Sequence, residues 1–316
     1  MTVRGRLAAG VLTGALAGSL TLAVPASAAP VDTTGTVVRV VDGDTVIARI
    51  KGKKHPVRIR ITGLNAMELT DYRPGHRDGE CHARQAARRM EELVLNKRVK
   101  ITARNSGSES GKRHRLRRSL EVKKEGKWID PAAELMKEGL ALWLPNKVEY
   151  LPNATYPVLA ARAAREGRGL WDTDSCGAGP SQNAVLRVTV KWRGDESVSI
   201  DNLGAKPVSL AKWWLRDSSY LGDRARGYEF PSSAVVPAGG TIVLHVGKGK
   251  NGDDHYYWKP KKRKKDDRVL DKKNDRIFDN VTGAPEHMAD GAYLFDPDGD
   301  LRAAHQYAPH APIQFP

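Results

Sequence analysis

The sequence predicts an α+β domain, a small β-barrel with helices packed on it, followed by an all-β sandwich. Three observations lead there. Short apolar/polar alternating stretches at residues 37–50, 57–64 and 99–103 are interleaved with amphipathic stretches at 81–96, 130–139 and 157–166. Beyond Cys176 helical periodicity nearly disappears, and short β-like runs separated by turn residues replace it. Between the halves lies Gly177-Ala178-Gly179-Pro180-Ser181-Gln182-Asn183, a linker by composition, and no repeat relates one half to the other. The predicted layout is therefore a leader at 1–28, a first domain at 33–176, a linker at 177–183 and a second domain at 184–316.

The leader has the pattern of a secretory signal. Arg4 and Arg6 precede an apolar run at 7–24, and Ala26-Ser27-Ala28 supplies small residues at the cleavage positions. Its removal predicts a secreted protein whose net charge falls from +15 to +13, because only the two arginines leave with it. Such a basic chain is drawn to polyanions, either nucleic acid or the anionic polymers of a cell envelope. Only two cysteines occur, Cys81 and Cys176. In an oxidising compartment they are expected to pair, closing a loop of nearly a hundred residues and adding on the order of 4 kcal/mol.

Residues 37–50 and 57–64 read as paired strands around a turn at 51–54. Val57, Ile59 and Ile61 alternate with Arg58, Arg60 and Thr62, so one face packs and the other presents arginines. Ala83, Ala86, Ala87, Met90, Leu93 and Val94 fall at helical spacing. Residues 99–103 form a strand, 105–112 a polar loop, and 119–122 a strand that turns at Gly126. Asp130-Pro131 starts a helix, with the acid as N-cap and proline in the first turn, and Gly139 ends it. A third helix at 157–166 is closed by Gly167 and Gly169.

The chemistry lies in Asp42-Gly43-Asp44-Thr45 and in the later run from Arg60 through Gly63-Leu64-Asn65-Ala66-Met67-Glu68. A hairpin there brings acidic oxygens, an arginine and a glutamate to one end of one small sheet. The oxygens suit a hard cation such as Ca²⁺. Arg60 can place its planar fork on two phosphate oxygens, and Glu68 can orient a water or take its proton. The combination points to phosphodiester hydrolysis.

These motifs resemble the thermonuclease (staphylococcal nuclease-like) domain over roughly 34–171, including the helix order and the closing Gly169-Leu170-Trp171. The resemblance implies a five-stranded OB barrel with three helices. It also implies Ca²⁺-dependent cleavage of DNA and RNA with little sequence preference, leaving 3′-phosphates. By the same resemblance Asp44, with Asp42 beside it, Asn65 and the Ala66 carbonyl hold the metal, while Arg60 and Glu68 are catalytic. A second catalytic arginine falls on Arg117 by ungapped spacing or on Arg118 with a one-residue gap, and Arg115 stays open. Two departures stand out: Asn65 replaces an aspartate, lowering the expected metal affinity, and Met67 replaces a proline, which should loosen Glu68. The family's nucleotide-pocket tyrosines have no match.

In the second half, Asp195 through Gly204, Val208 through Asp217 with Trp213-Trp214, Val236-Pro237-Ala238-Gly239-Gly240 and Ala292 through Gly299 resemble a lamin-tail domain. That implies an immunoglobulin-like sandwich. The tryptophans read as core and sandwich edge, and Asp296-Pro297-Asp298-Gly299-Asp300 as a hairpin turn. An insertion at 247–279 sets Tyr256-Tyr257-Trp258 before a basic run at 259–265, a combination suited to nucleic-acid contact or simply to solvation. The rival to the enzyme is a binding module whose weakened metal site grips nucleic acid or an envelope polymer without cutting it.

Overall fold

A computed structural model describes residues 29–69, 81–110, 115–145, 149, 151–172, 184–192, 194–218, 227–259, 277–278, 290–297, 299–307 and 312–314. The predicted leader, the linker at 177–183, Cys176 and the basic run beyond Lys259 lie outside the described residues.

The first domain contains β1 (Val31–Asp42), β2 (Thr45–Ile50), β3 (Val57–Ile61), α1 (Ala83–Val94), β4 (Arg98–Ala103), β5 (Arg115–Lys124), α2 (Pro131–Lys137) and α3 (Tyr156–Arg165). The strands pair antiparallel in the order β3-β2-β1-β4-β5. A parallel seam between β3 and β5 then closes them into a five-stranded, OB-like barrel. Val37, Val46, Ala48, Ile59, Ile61, Val99, Ile101, Leu120 and Val122 fill it, and Met90, Leu93, Leu135 and Met136 from the helices complete the same core.

Residues 37–50, read above as one strand, are instead a hairpin. Asp42 faces Thr45, and Gly43-Asp44 is the tight turn. A side chain at Gly43 would lie 2.6 Å from the Ala66 Cβ and 2.8 Å from the Ala86 Cβ, so only glycine lets the turn approach α1 and the site loop so closely. The start of α2 is as predicted. Asp130 accepts hydrogen bonds from the backbone N–H of Ala132 at 2.9 Å and of Ala133 at 3.3 Å. Its other oxygen accepts from the Tyr156 hydroxyl at 2.6 Å, which clamps α2 to α3.

The second domain packs two sheets around a separate core of Val188, Ile200, Trp213, Leu215, Ile242, Leu244 and Leu294. One sheet orders β6 (Leu186–Lys191), β7 (Ser197–Asn202), β10 (Thr241–Val246) and β11 (His255–Trp258). The other orders β9 (Tyr228–Glu229), β8 (Trp214–Asp217), β12 (Asp290–Phe295), β13 (Leu301–Tyr307) and β14 (Pro312–Gln314). Residues 208–217 do not form one strand. Val208–Ser209 pairs with Val235–Val236, Lys212 takes a left-handed φ of 64°, and only then does β8 begin. Trp213 lies in the sandwich core, as expected for one of the pair. The hairpin reading of 296–300 holds as well: Asp296 accepts from the Asp300 N–H at 2.9 Å and pairs with Arg302 at 2.8 Å.

β6 alternates buried and exposed, as a strand with one wet face should, but β12 is buried at every position. The reason is the first domain. Trp214, Tyr293, Phe295, Leu301 and Ala304 of the sandwich form one apolar cluster with Met67, Ala83, Leu142 and Leu170 of the barrel domain. The Tyr293 hydroxyl donates to the Trp143 carbonyl at 3.3 Å and accepts from the Gln306 amide at 2.7 Å. No described helix is long and apolar enough to cross a membrane.

Candidate functional site

The hairpin turn and the segment after β3 meet on the outer side of the barrel. Asp42 accepts from the Asp44 N–H at 3.0 Å, which folds the turn onto itself. After β3 the chain reverses at Gly63, with φ 83° and no room for a side chain against Pro152 and Tyr156. Leu64–Asn65 then pairs with Leu142–Trp143, fixing Asn65 above the turn.

The result is a buried network. The Asp44 carboxylate pairs with Arg60 through one oxygen, which also accepts from the Thr45 hydroxyl at 2.8 Å; the other accepts from the Ala66 N–H at 3.0 Å. The second arm of Arg60 donates to the Leu64 carbonyl at 3.2 Å and to the Asn65 amide oxygen at 2.9 Å. The Asn65 side-chain amide in turn donates to the Ala66 carbonyl at 3.2 Å. Asp44 and Asn65 are each 1 % exposed and Arg60 is 8 % exposed. Burial pushes the Arg60 guanidinium down to about 10, opposed by Asp42 and Glu68 and reinforced by Arg115 and Arg117. Burial likewise holds the Asp42 carboxyl above its usual range, with Arg60 opposing.

The seam that closes the barrel decides which later arginine joins this group. β3 and β5 run parallel with Arg60 beside Arg117. Side chains alternate along β5, so Arg115 and Arg117 share a row, whereas Arg118 falls in the buried row of Leu120 and Val122. Arg115 approaches the Thr45 hydroxyl at 3.5 Å. Arg118 instead donates to the carbonyls of Ser108 at 3.1 Å, Arg117 at 2.6 Å and Ser106 at 2.9 Å. Its guanidinium is thus spent on the 105–110 loop. Asp42, Asp44, Arg60, Asn65, Ala66, Glu68 and Arg117 gather, with Arg115 and Thr45 added, and Arg118 does not.

Met67, at the position where the resemblance puts a proline, is 1 % exposed and packed into the cluster between the domains. Cys81 is buried, and no described cysteine is free. Its pairing with Cys176, which lies outside the described residues, remains a proposal.

The donor set is chemically suited to a hard cation. The Asp42 and Asp44 carboxylates, the Asn65 amide oxygen and the Ala66 carbonyl are all oxygens held about one turn and one short strand. Only two of them carry charge, and among the described residues no trio of His, Cys, Asp or Glu assembles to hold a metal. The fork of Arg60 spans Asp44 and Asn65, so a cation on those two oxygens would compete with it.

An OB-like barrel with a buried acid–arginine cluster, joined to a β-sandwich, is the class that fold and site define. Residues 175–309 match the family described as Lamin Tail Domain, a span that includes the sandwich strands except β14 and runs across the predicted linker. No curated protein matches the chain.

Proposed function

We propose that the protein is a secreted, Ca²⁺-dependent nuclease that hydrolyses DNA, RNA or both with little sequence preference, leaving 3′-phosphates. The observation that carries the reading is the seam register. It sets Arg117 beside Arg60, whose guanidinium pairs with Asp44 and lies within electrostatic reach of Asp42 and Glu68. Two guanidiniums, two carboxylates and one further carboxylate make a set suited to a phosphodiester and a water.

Asp44, Asn65 and the Ala66 carbonyl, with Asp42 beside them, would hold the Ca²⁺. The ion, when bound, supplies positive charge beside the scissile phosphate. Glu68 orients the attacking water and takes its proton as the new P–O bond forms in line with the departing 5′-oxygen. Arg60 and Arg117 carry the added negative charge on the equatorial oxygens, and burial makes each contact stronger than it would be in water. The P–O5′ bond breaks, the 5′-oxygen takes a proton from solvent water, and a 3′-phosphate and a 5′-hydroxyl result.

One observation favours the alternative of a nucleic-acid or envelope-polymer binder that does not cut. Arg60 already lies across the oxygens the cation needs. Digestion of supercoiled plasmid with Ca²⁺, with Mg²⁺ and with chelator separates the two. Nicking and linearisation that need Ca²⁺ support the nuclease. DNA retardation without cleavage in any of the three conditions supports the binder.

A further inference from the structure

We propose that the sandwich domain is a working part of the candidate active site, holding residues 66–69 and with them the proposed base, Glu68, in place. The inference rests on the nuclease reading for the role of Glu68, but its structural half stands on separate observations. Residues 66–68 belong to no helix or strand. The Ala66 N–H is held by Asp44 and the Ala66 carbonyl accepts from the Asn65 amide, and Met67 and Leu69 add side-chain burial.

That burial is supplied across the domain boundary. Met67 sits in the apolar cluster with Trp214, Tyr293, Phe295 and Leu301, and Leu69 packs against the same cluster. Glu68, between them, lies within electrostatic reach of Arg60. The residues on either side of the proposed base are thus anchored in the sandwich. A second tie reaches the neighbouring backbone: the Tyr293 hydroxyl bonds the carbonyl of Trp143, whose strand pairs with Leu64–Asn65. One sheet therefore ties the chain both before and after Ala66.

The sheet face is built to be stiff. Trp214 and Phe295 stack with centroids 5.9 Å apart. The Arg216 guanidinium lies 5.3 Å from the first ring centroid and 5.0 Å from the second. The Asp296–Arg302 pair, almost wholly buried, pins the hairpin that carries Leu301. Catalytic groups tolerate little misplacement, and a shift of about 1 Å from a remote change costs on the order of a hundredfold. In this account Tyr293 and Leu301 are positioning residues, acting through Met67 and Leu69.

The test uses full-length protein with Leu301→Ala, Leu301→Met and Tyr293→Phe, none of which touches the acid–arginine network. Hydrogen exchange of peptides covering residues 64–69 is followed beside single-turnover plasmid cleavage with Ca²⁺. Leu301→Ala should speed exchange in that segment by about tenfold while β1 and β2 keep their protection. It should also lower the cleavage rate by about tenfold with DNA affinity unchanged, and Leu301→Met should restore both. Tyr293→Phe, which keeps the packing, guards against a misfolded Leu301→Ala and should shift both readouts in the same direction by a smaller factor. Unchanged exchange at 64–69 in folded variants overturns the proposal, and so does faster exchange with an undiminished cleavage rate. If the wild type cuts nothing with any divalent cation, the nuclease reading falls by itself. The exchange comparison then decides whether the sandwich holds the loop.

Discussion

Replacing Arg117 and Arg118 one at a time by leucine should give opposite signatures, although the two are adjacent in sequence. Arg118 places three donors on the carbonyls of Ser106, Ser108 and Arg117, at distances between 2.6 and 3.1 Å, and is 5 % exposed. Hydrogen bonds from a charged donor contribute about 1.5–3 kcal/mol each, but the freed loop carbonyls can recover water. A net loss of about 3 kcal/mol follows. For a domain of about 150 residues, the size of the barrel domain, that lowers Tm by roughly 6–12 °C. Arg117 is half-buried, its charge is disfavoured chiefly by burial, and its side chain has no hydrogen bond or ion pair with any described residue. Its loss should change stability by less than about 1 kcal/mol. Cleavage, in contrast, should fall by about 10²–10³, as when one transition-state donor is removed. Differential scanning fluorimetry beside a timed plasmid digest reads both quantities. An Arg118→Leu protein with wild-type Tm and a hundredfold slower digest would refute the reasoning, because it would put the second phosphate contact in the wrong row of β5.

Other outcomes follow from the same geometry. Asn65→Asp adds charge to the proposed metal set and removes the amide that now donates to the Ala66 carbonyl, so calorimetry should show Ca²⁺ binding tightened by about tenfold; no gain would mean that residue 65 is not a ligand. His305 is buried and accepts from the Val190 N–H at 2.8 Å through Nδ1, and burial lowers its pKa from 6.5. The unfolded chain therefore binds the proton more readily, so this contribution to stability is complete above about pH 6.5 and is lost as pH falls below it. Urea titrations from pH 7.5 to 5 should show that decline, and His305→Asn should flatten it; equal slopes would sink the assignment. If Cys81 and Cys176 pair, thiol titration of the denatured, unreduced protein finds no free thiol, and Cys176→Ala costs up to about 4 kcal/mol. Two titratable thiols would overturn that pairing.

How much of this was legible in the sequence depends on how local each cause is. The helices were, because Ala86, Met90, Leu93 and Val94 repeat at helical spacing and Asp130-Pro131 caps by its own chemistry. The hairpin inside residues 37–50 was obscured, since apolar residues continue on both sides of a two-residue turn with no proline to interrupt them. Arg117 and Arg118 could not be separated by counting. The choice depends on which row of β5 lies beside Arg60, and that is set by closure of the barrel between strands far apart in sequence. Strand alternation was the usable signal, placing Arg117 with Arg115 and Arg118 with Leu120. The packing of Met67 was not legible for a similar reason. Its partners Tyr293, Phe295 and Leu301 belong to the other domain, and no local pattern around residue 67 announces them.

Glu68 is the centre of the proposed mechanism. Single-turnover cleavage of plasmid DNA by wild type and Glu68→Gln, with saturating Ca²⁺ and with chelator, tests it most directly. The account predicts Ca²⁺-dependent cleavage by the wild type, slowed by about 10²–10⁴ in the variant while fold and DNA affinity persist. Equal rates in the two proteins, or a wild type that binds DNA and never cuts it, would contradict it.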